Sequence, residues 1–325
     1  MLQIAVIGMG LIGTSLAGAI RNAAQPVPPF DAVQIRGYDT NAAMLHEARG
    51  RLAIDLPAKT LAEAVHGAQL VILATPVGVL PTVMAQLAPV LAADAVVTDV
   101  ASTKAQVLAW ARDLLPPQTA FVGGHPMAGK SQHGAHAADY TLFQEAIYCL
   151  TPAAHTPPAA VALVEAMVAT IGAKVYYLDP AEHDSYVAAI SHMPFLTAAL
   201  LVELARRSPA WRELALLAAT GFRDTTRLAS GDVTMHRDIC LSNRAALIQR
   251  IDEFALLLEE TRAALEQSDA DALEVLFARS QAARAEWLAQ RPNMRPGEEQ
   301  LDTMQHLPQR NVFGLGGLLG RKRDK

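Results

Sequence analysis

The sequence predicts an α/β domain built on a doubly wound parallel sheet, followed by an all-α domain. Three observations carry this. An apolar strand at the start of the chain runs straight into a glycine-rich turn and an apolar helix. Strand and helix patterns then alternate as far as residue 178. From Pro180 to Gln290 no strand pattern recurs, and long helical patterns replace the alternation. A chain of 325 residues suits two domains, and an apolar fraction of 51% is ample for two cores.

Ile4 to Ile7 reads as a buried strand, and Gly8-Met-Gly10-Leu-Ile-Gly13 follows it. Leu11, Ile12, Leu16 and Ile20 recur at helical spacing behind the turn. Gly8 permits a tight turn, Gly10 lets backbone approach a pyrophosphate, and Gly13 lets helix and strand pack closely. The helix N-terminus faces the negative charge, so Gly8, Gly10, Leu11, Ile12 and Gly13 form the expected cofactor cradle of a Rossmann-like domain. A second strand, Ala32 onward, ends at Asp39. A carboxylate there bonds ribose hydroxyls and repels a 2′-phosphate, which favours NAD over NADP. The 25–29 stretch Gln-Pro-Val-Pro-Pro makes this connection longer than the usual ~20 residues.

Helices are expected over Ala42–Arg51 and Leu61–His66, then a strand from Gln69 that ends at a Thr75-Pro turn lining the cofactor crevice. Pro81 to Leu91 is helical in pattern. A strand over Ala95–Val100 leads to Ala101-Ser-Thr-Lys104 and a helix through Leu115. A short strand, Ala120–Val122, ends in the loop Gly123-Gly-His125-Pro-Met-Ala-Gly129. A strand over Ala146–Thr151, a helix over Ala159–Ile171 and a strand over Lys174–Leu178 complete a dinucleotide-binding domain, 1–178. Helical patterns at Ala188–Ala205, Arg244–Leu265 and Ala270–Leu288 make 179–290 a substrate and dimerisation domain, so a homodimer is expected. Residues 291–325, rich in Pro, Gly, Gln and charge, are expected to be a flexible tail.

Composition narrows the function classes. Net charge is −5 with no basic block outside Arg321-Lys-Arg-Asp-Lys325, so no nucleic-acid partner is expected. Two cysteines, Cys149 and Cys240, suit a reducing cytoplasm. The apolar N-terminus lacks a basic flank, and no other uninterrupted apolar run reaches the ~18 residues of a membrane span. A cytoplasmic protein without a membrane partner is therefore expected. His133-x-x-His136 has metal-like spacing but no third ligand, so no metal is expected.

Ligands sit at the carboxyl ends of strands in such sheets, and two strand-end loops carry Ser102 and His125. A histidine beside a nicotinamide can act as general base, and a serine can orient it or a substrate hydroxyl. His192 in its apolar helix reads equally as a packed core residue or a site residue, and Asp184 as a helix-dipole partner or a pocket residue. Lys104 is expected to stabilise the Ser102 loop, without a chemical step.

Asp99-Val-Ala-Ser-Thr-Lys104, Gly124-His-Pro-Met-Ala-Gly129, His183-Asp184, Ser191-His-Met-Pro194 and Gly221-Phe-Arg-Asp-Thr-Thr-Arg227-Leu-Ala229 occur in this order. Together with the glycine turn they resemble the prephenate/arogenate dehydrogenase family of tyrosine biosynthesis, over about residues 1–290. The resemblance implies NAD(P)-dependent oxidative decarboxylation of a small cyclohexadienyl substrate. It implies that His125 takes the proton of the ring hydroxyl, that Ser102 positions His125 and substrate, and that Arg227 binds a substrate carboxylate; His192, where it is a site residue, is expected to contact substrate. An arginine binds a carboxylate bidentately, which lysine does not match. No mutase or regulatory domain is expected beside these two. Ser131, Phe195 and His236 stand where the resemblance leads one to expect Glu, His and Trp, and this leaves prephenate and arogenate both open. Two rivals remain: a β-hydroxyacid-type dehydrogenase, which would use a helical-domain lysine, and an NAD-sensing protein, which would not need Ser102, His125 and Arg227 together.

Overall fold

The structure, a computed structural model, describes residues 1–130 and 132–290. Eight strands, β1 (Leu2–Ile7), β2 (Val33–Tyr38), β3 (Leu56–Pro57), β4 (Leu70–Leu73), β5 (Val96–Asp99), β6 (Ala120–Pro126), β7 (Ile147–Pro152) and β8 (Lys174–Tyr177), form one sheet ordered β3-β2-β1-β4-β5-β6-β7-β8. The order reverses direction between β1 and β4, and a crevice opens at the carboxyl ends of strands where that happens. Helices α1 (Leu11–Arg21), α2 (Ala42–Gly50), α3 (Leu61–Val65), α4 (Leu80–Leu87), α5 (Ala105–Leu114) and α6 (Pro158–Thr170) cover the two faces.

Side chains alternate between faces along a strand. Ile4 and Val6 of β1 and Leu70 and Ile72 of β4 pack with Leu16 and Ile20 of α1 and Val164 and Val168 of α6. Ala5, Ile7, Val71 and Leu73 enter the opposite core with Leu80 and Met84 of α4 and Val107 and Ala111 of α5. Both faces of β1 and β4 are therefore covered, which is why they read as unbroken apolar runs.

Three expectations about this domain are corrected. The sheet is not wholly parallel: β7 runs antiparallel to β6, pairing Val122 with Pro152 and Pro126 with Tyr148. Among its described residues the connection between them, 127–146, contains a short 3-10 turn (Ala135–Ala137) and no α-helix, too little for a helical crossover. That pairing also carries β6 on to Pro126, so His125 is part of a strand, opposite Cys149, and not of a loop after Val122. A two-residue edge strand, β3, was not expected.

The remainder is helical: α7 (Pro180–Val187), a π turn (Ala188–His192), α8 (Met193–Arg206), α9 (Trp211–Leu217), α10 (Thr220–Thr225), a 3-10 turn (Arg227–Ser230), α11 (Val233–Ser242), α12 (Arg244–Glu266) and α13 (Ala270–Gln290). The helix expected over 188–205 thus starts earlier and changes pitch. Pro194 has no N–H to donate to Ile190, and the π turn takes up the irregularity, with the Met193 N–H bonding back to Ala188 O. The run 180–206 is long and apolar enough to cross a membrane by length and composition, although Ser191, His192, Thr197 and Glu203 interrupt its apolar residues. It also buries His183, Asp184 and His192.

By its contacts the chain divides into a unit spanning Met1–Arg262 and a second from Ala263 onward. On α12, Ile248, Ile251, Phe254 and Leu258 are exposed, and on α13, Val275 and Phe277. The expected tail, 291–325, lies outside the described residues.

Candidate active site

Gly8 adopts φ +98°, and a Cβ there would meet Ala74 O, just past β4, at 2.6 Å, so only glycine makes this turn from β1 into α1. A Cβ on Gly13 would overlap Gly8 O, as expected for close packing of helix on strand. Above Gly10 a Cβ would meet no protein atom, which leaves its backbone open to a ligand. Leu11, Ile12 and Gly13 precede the first bond of α1, from Thr14 N–H to Gly10 O (3.0 Å), and no side chain caps this end. Such first-turn N–H groups attract phosphate. The Asp39 carboxylate accepts N–H bonds from Met9 (2.7 Å) and Asn41 (2.8 Å), which brings it to the mouth of the glycine turn. Across the turn, the Thr75 hydroxyl is buried with no partner among the described residues. An open cradle of N–H groups, a carboxylate at the end of β2 and an orphaned hydroxyl fit a nicotinamide adenine dinucleotide.

The next two strand ends are held by a buried ion pair. Lys104, fully buried, bonds Asp99 through its ammonium and donates to Gly124 O (2.6 Å). The Asp99 carboxylate accepts N–H bonds from Ala101 (2.9 Å) and Gly124 (3.1 Å). Burial lowers the Lys104 pKa and Asp99 opposes that shift. The ends of β5 and β6 are thereby fixed to each other, with His125 one residue beyond. Lys104 is therefore a structural residue, as expected, although it holds β6 as well as the Ser102 loop.

His125 Nδ1 lies 2.9 Å from His183 Nε2, and His183 Nδ1 lies 2.8 Å from Asp184 Oδ1. Asp184 also accepts the N–H groups of Lys104 (2.7 Å) and Ala105 (2.9 Å) and so closes the start of α5. Burial, reinforced by His183, Lys104 and His192, holds the His125 pKa well below the usual histidine range. The Ser102 side chain is half-buried, and its hydroxyl makes no hydrogen bond among the described residues. Among the described residues the partner of the His125 ring is His183, at Nδ1, and not Ser102.

His192 ends the π turn. Asn243, buried between α11 and α12, donates from one amide nitrogen to Asp184 O (2.8 Å) and to His192 Nδ1 (3.1 Å). The opposite nitrogen, Nε2, is buried without a partner among the described residues, and burial pushes the pKa down to about 4. His192 is therefore neutral and presents an unused N–H. The turn beginning at Arg227 packs against α8, and the Arg227 guanidinium is exposed and unpaired among the described residues. Phe195 stacks on His236, ring centroids 4.1 Å apart and 2° from parallel, and also meets the His192 ring at 5.8 Å. Ser131 lies outside the described residues.

The structure thus gathers the glycine turn, Asp39 and Thr75 at one crevice, and His125 with His183, Asp184, Lys104 and, through Asn243, His192. Sequence reasoning left His183 and Asp184 undecided and missed Asn243. An adjacent acid and histidine at the start of a helix was the available signal for the first two. Nothing local distinguished Asn243.

A doubly wound dinucleotide-binding sheet with a neutral histidine at the carboxyl end of β6, two strands from β4 at the switch point, is the arrangement of a nicotinamide-dependent dehydrogenase. Comparison with known proteins narrows the class. Residues 20–177 match the model of the prephenate dehydrogenase nucleotide-binding domain, and 179–279 that of the prephenate dehydrogenase dimerization domain. The chain belongs to the prephenate dehydrogenase family. It is 37% identical over 268 residues to the prephenate dehydrogenase of Bacillus subtilis, covering 82% of this chain and 71% of that protein. The structure of Aquifex aeolicus prephenate dehydrogenase with hydroxyphenyl propionate and NAD+ is similar at a TM-score of 0.80 and 27% identity, covering 88% of this chain and 98% of that one. Synechocystis arogenate dehydrogenase is similar at a TM-score of 0.74 and 29% identity, over 88% and 100% of the two chains.

Proposed function

We propose that this chain oxidises and decarboxylates prephenate to 4-hydroxyphenylpyruvate in tyrosine biosynthesis, using NAD. The observation that supports it most directly is His125: neutral, fixed at the end of β6, and bonded through Nδ1 alone among the described residues. NAD, when bound, accepts the hydride from the carbon bearing the ring hydroxyl. His125 Nε2 takes the hydroxyl proton, which raises electron density on that carbon, and loss of CO2 makes the ring aromatic. Ser102 is free to bond the same hydroxyl. Gly8, Gly10, Leu11, Ile12 and Gly13 hold the pyrophosphate, Asp39 the adenosine ribose, and Thr75 lines the crevice. The Asp39 carboxylate supports NAD over NADP.

A dianionic substrate needs a fixed cation and a donor, and Arg227 and the His192 Nε2–H supply them. Arg227→Ala is expected to raise KM for substrate by tenfold or more, since a charged hydrogen bond is worth about 1.5–3 kcal/mol, while KM for NAD stays unchanged. Steady-state kinetics with each substrate varied in turn checks this. In this reading the cofactor half ends near residue 178, where the strands end, and the helical half that follows pairs two copies; exposed Ile251, Phe254 and Leu258 on α12 suit burial in such a homodimer. A cytoplasmic location completes this reading.

The deciding experiment is NADH and NADPH formation with prephenate and with arogenate in parallel. Turnover of prephenate with NAD supports the proposal. Turnover of arogenate alone moves the substrate to arogenate, with tyrosine as product. No turnover of either, with NAD still bound, sinks the dehydrogenase reading and favours a sensor.

A further inference from the structure

The hydrogen-bond chain behind His125 has a direction that the backbone fixes. Asp184 is an acceptor at both oxygens: Oδ1 takes the Lys104 N–H and Oδ2 the Ala105 N–H. The contact at 2.8 Å between Asp184 Oδ1 and His183 Nδ1 therefore needs the proton on His183 Nδ1. A neutral His183 then offers a lone pair at Nε2, fully buried, and among the described residues the ring nitrogen facing it is His125 Nδ1 at 2.9 Å. That contact in turn needs the proton on His125 Nδ1. The lone pair of His125 is left at Nε2, where a general base needs it.

We infer that His183 and Asp184 form a positioning dyad that locks His125 in its Nδ1–H tautomer, with Asp184 anchored by the amides that start α5. The inference rests on the proposed role of His125 as base. It adds the reason that His125 is reactive at Nε2 and not at Nδ1. When His125 takes a proton, its Nδ1–H still has an acceptor behind it, so the imidazolium keeps a hydrogen-bonded support inside a buried site. Removing that acceptor frees the ring to flip or to change tautomer, and a base in the wrong tautomer is inactive however close it lies to substrate. The dyad also crosses the chain, since Asp184 and His183 belong to α7 while the amides belong to α5 and His125 to β6.

The test combines a spectrum with kinetics on the full chain. Long-range 1H–15N correlation of protein labelled with 15N-histidine should show His125 protonated at Nδ1 and bare at Nε2 at neutral pH. The opposite tautomer overturns the inference, whatever the activity. His183→Phe keeps a ring but removes the acceptor, and is expected to lower kcat about a hundredfold with both KM values unchanged. Its acid limb in the kcat/KM–pH profile should also move. His183→Gln, which restores an oxygen acceptor near the Nε2 position, should recover about tenfold of that loss. If His183→Phe retains full kcat and an unmoved acid limb, the dyad does not position His125. Failure of the functional proposal reads differently: wild type turns over neither substrate, or His125→Asn stays active, and the spectrum still decides the tautomer.

Discussion

Replacing His125 with asparagine is expected to lower kcat by about a hundred- to ten-thousandfold, the range a positioned general base contributes. The loss should fall on kcat, with NAD affinity retained, because the glycine turn, Asp39 and Thr75 all lie on other strand ends. The pH profile of the wild type follows from the same residue. A base works in its neutral form, and burial holds the His125 pKa well below the ordinary value of 6.5. Activity is therefore expected to be flat through neutral pH and to fall only as pH drops below that lowered pKa. An acid limb centred at or above 6.5 would contradict the placement of His125 in a desolvated site. Measuring kcat/KM against pH for wild type, with NAD binding followed separately in His125→Asn, checks both expectations.

Lys104→Met is expected to have the largest effect on stability. The substitution removes the cation from a fully buried pair and leaves the Asp99 carboxylate with only the amides of Ala101 and Gly124. Breaking one side of such a pair costs about 3–5 kcal/mol, because the remaining charge is stranded away from water. For a chain of this size that corresponds to a fall in Tm on the order of 10 °C. The loss also has a functional face: Lys104 bonds Gly124 O, so β6 loses a tie next to His125. The double replacement Asp99→Asn, Lys104→Met is expected to recover much of the lost stability, since no charge is then stranded. Thermal unfolding of wild type, single and double variants decides this. Equal Tm values for the single variant and wild type would show that the pair contributes nothing net.

The glycine turn was legible because its requirement is local: Gly8 needs a positive φ and Gly13 a bare α-carbon, and both show in the sequence as glycines at fixed offsets. His125 was legible because it sits where a strand pattern meets a glycine-rich turn, and because the blocks around it resemble one family. The direction of β7 was not legible from its own residues. An apolar strand looks the same in either direction, and the decision rests on the 127–146 connection, which is too irregular to carry the chain back. His183 stayed undecided because its partner is 58 positions away in sequence. Periodicity reports which face of a helix is apolar, not which polar group meets it across the fold. The π turn before α8 escaped for a related reason, since Pro194 announces an irregularity without saying how the backbone absorbs it.

The Asn243 amide has a consequence for how this position can vary. Two hydrogens leave one nitrogen toward two lone pairs, Asp184 O and His192 Nδ1. Aspartate has nearly the same outline but offers oxygens where both neighbours demand hydrogens, so one repulsion is unavoidable and His192 would have to surrender its outward N–H to relieve the other. Leucine, branched in the same way but bulkier, would satisfy neither. The position is therefore constrained by valence, a count of hydrogens against lone pairs, rather than by size or polarity. Tolerance there should be narrow even though Asn243 bonds neither His125 nor His183.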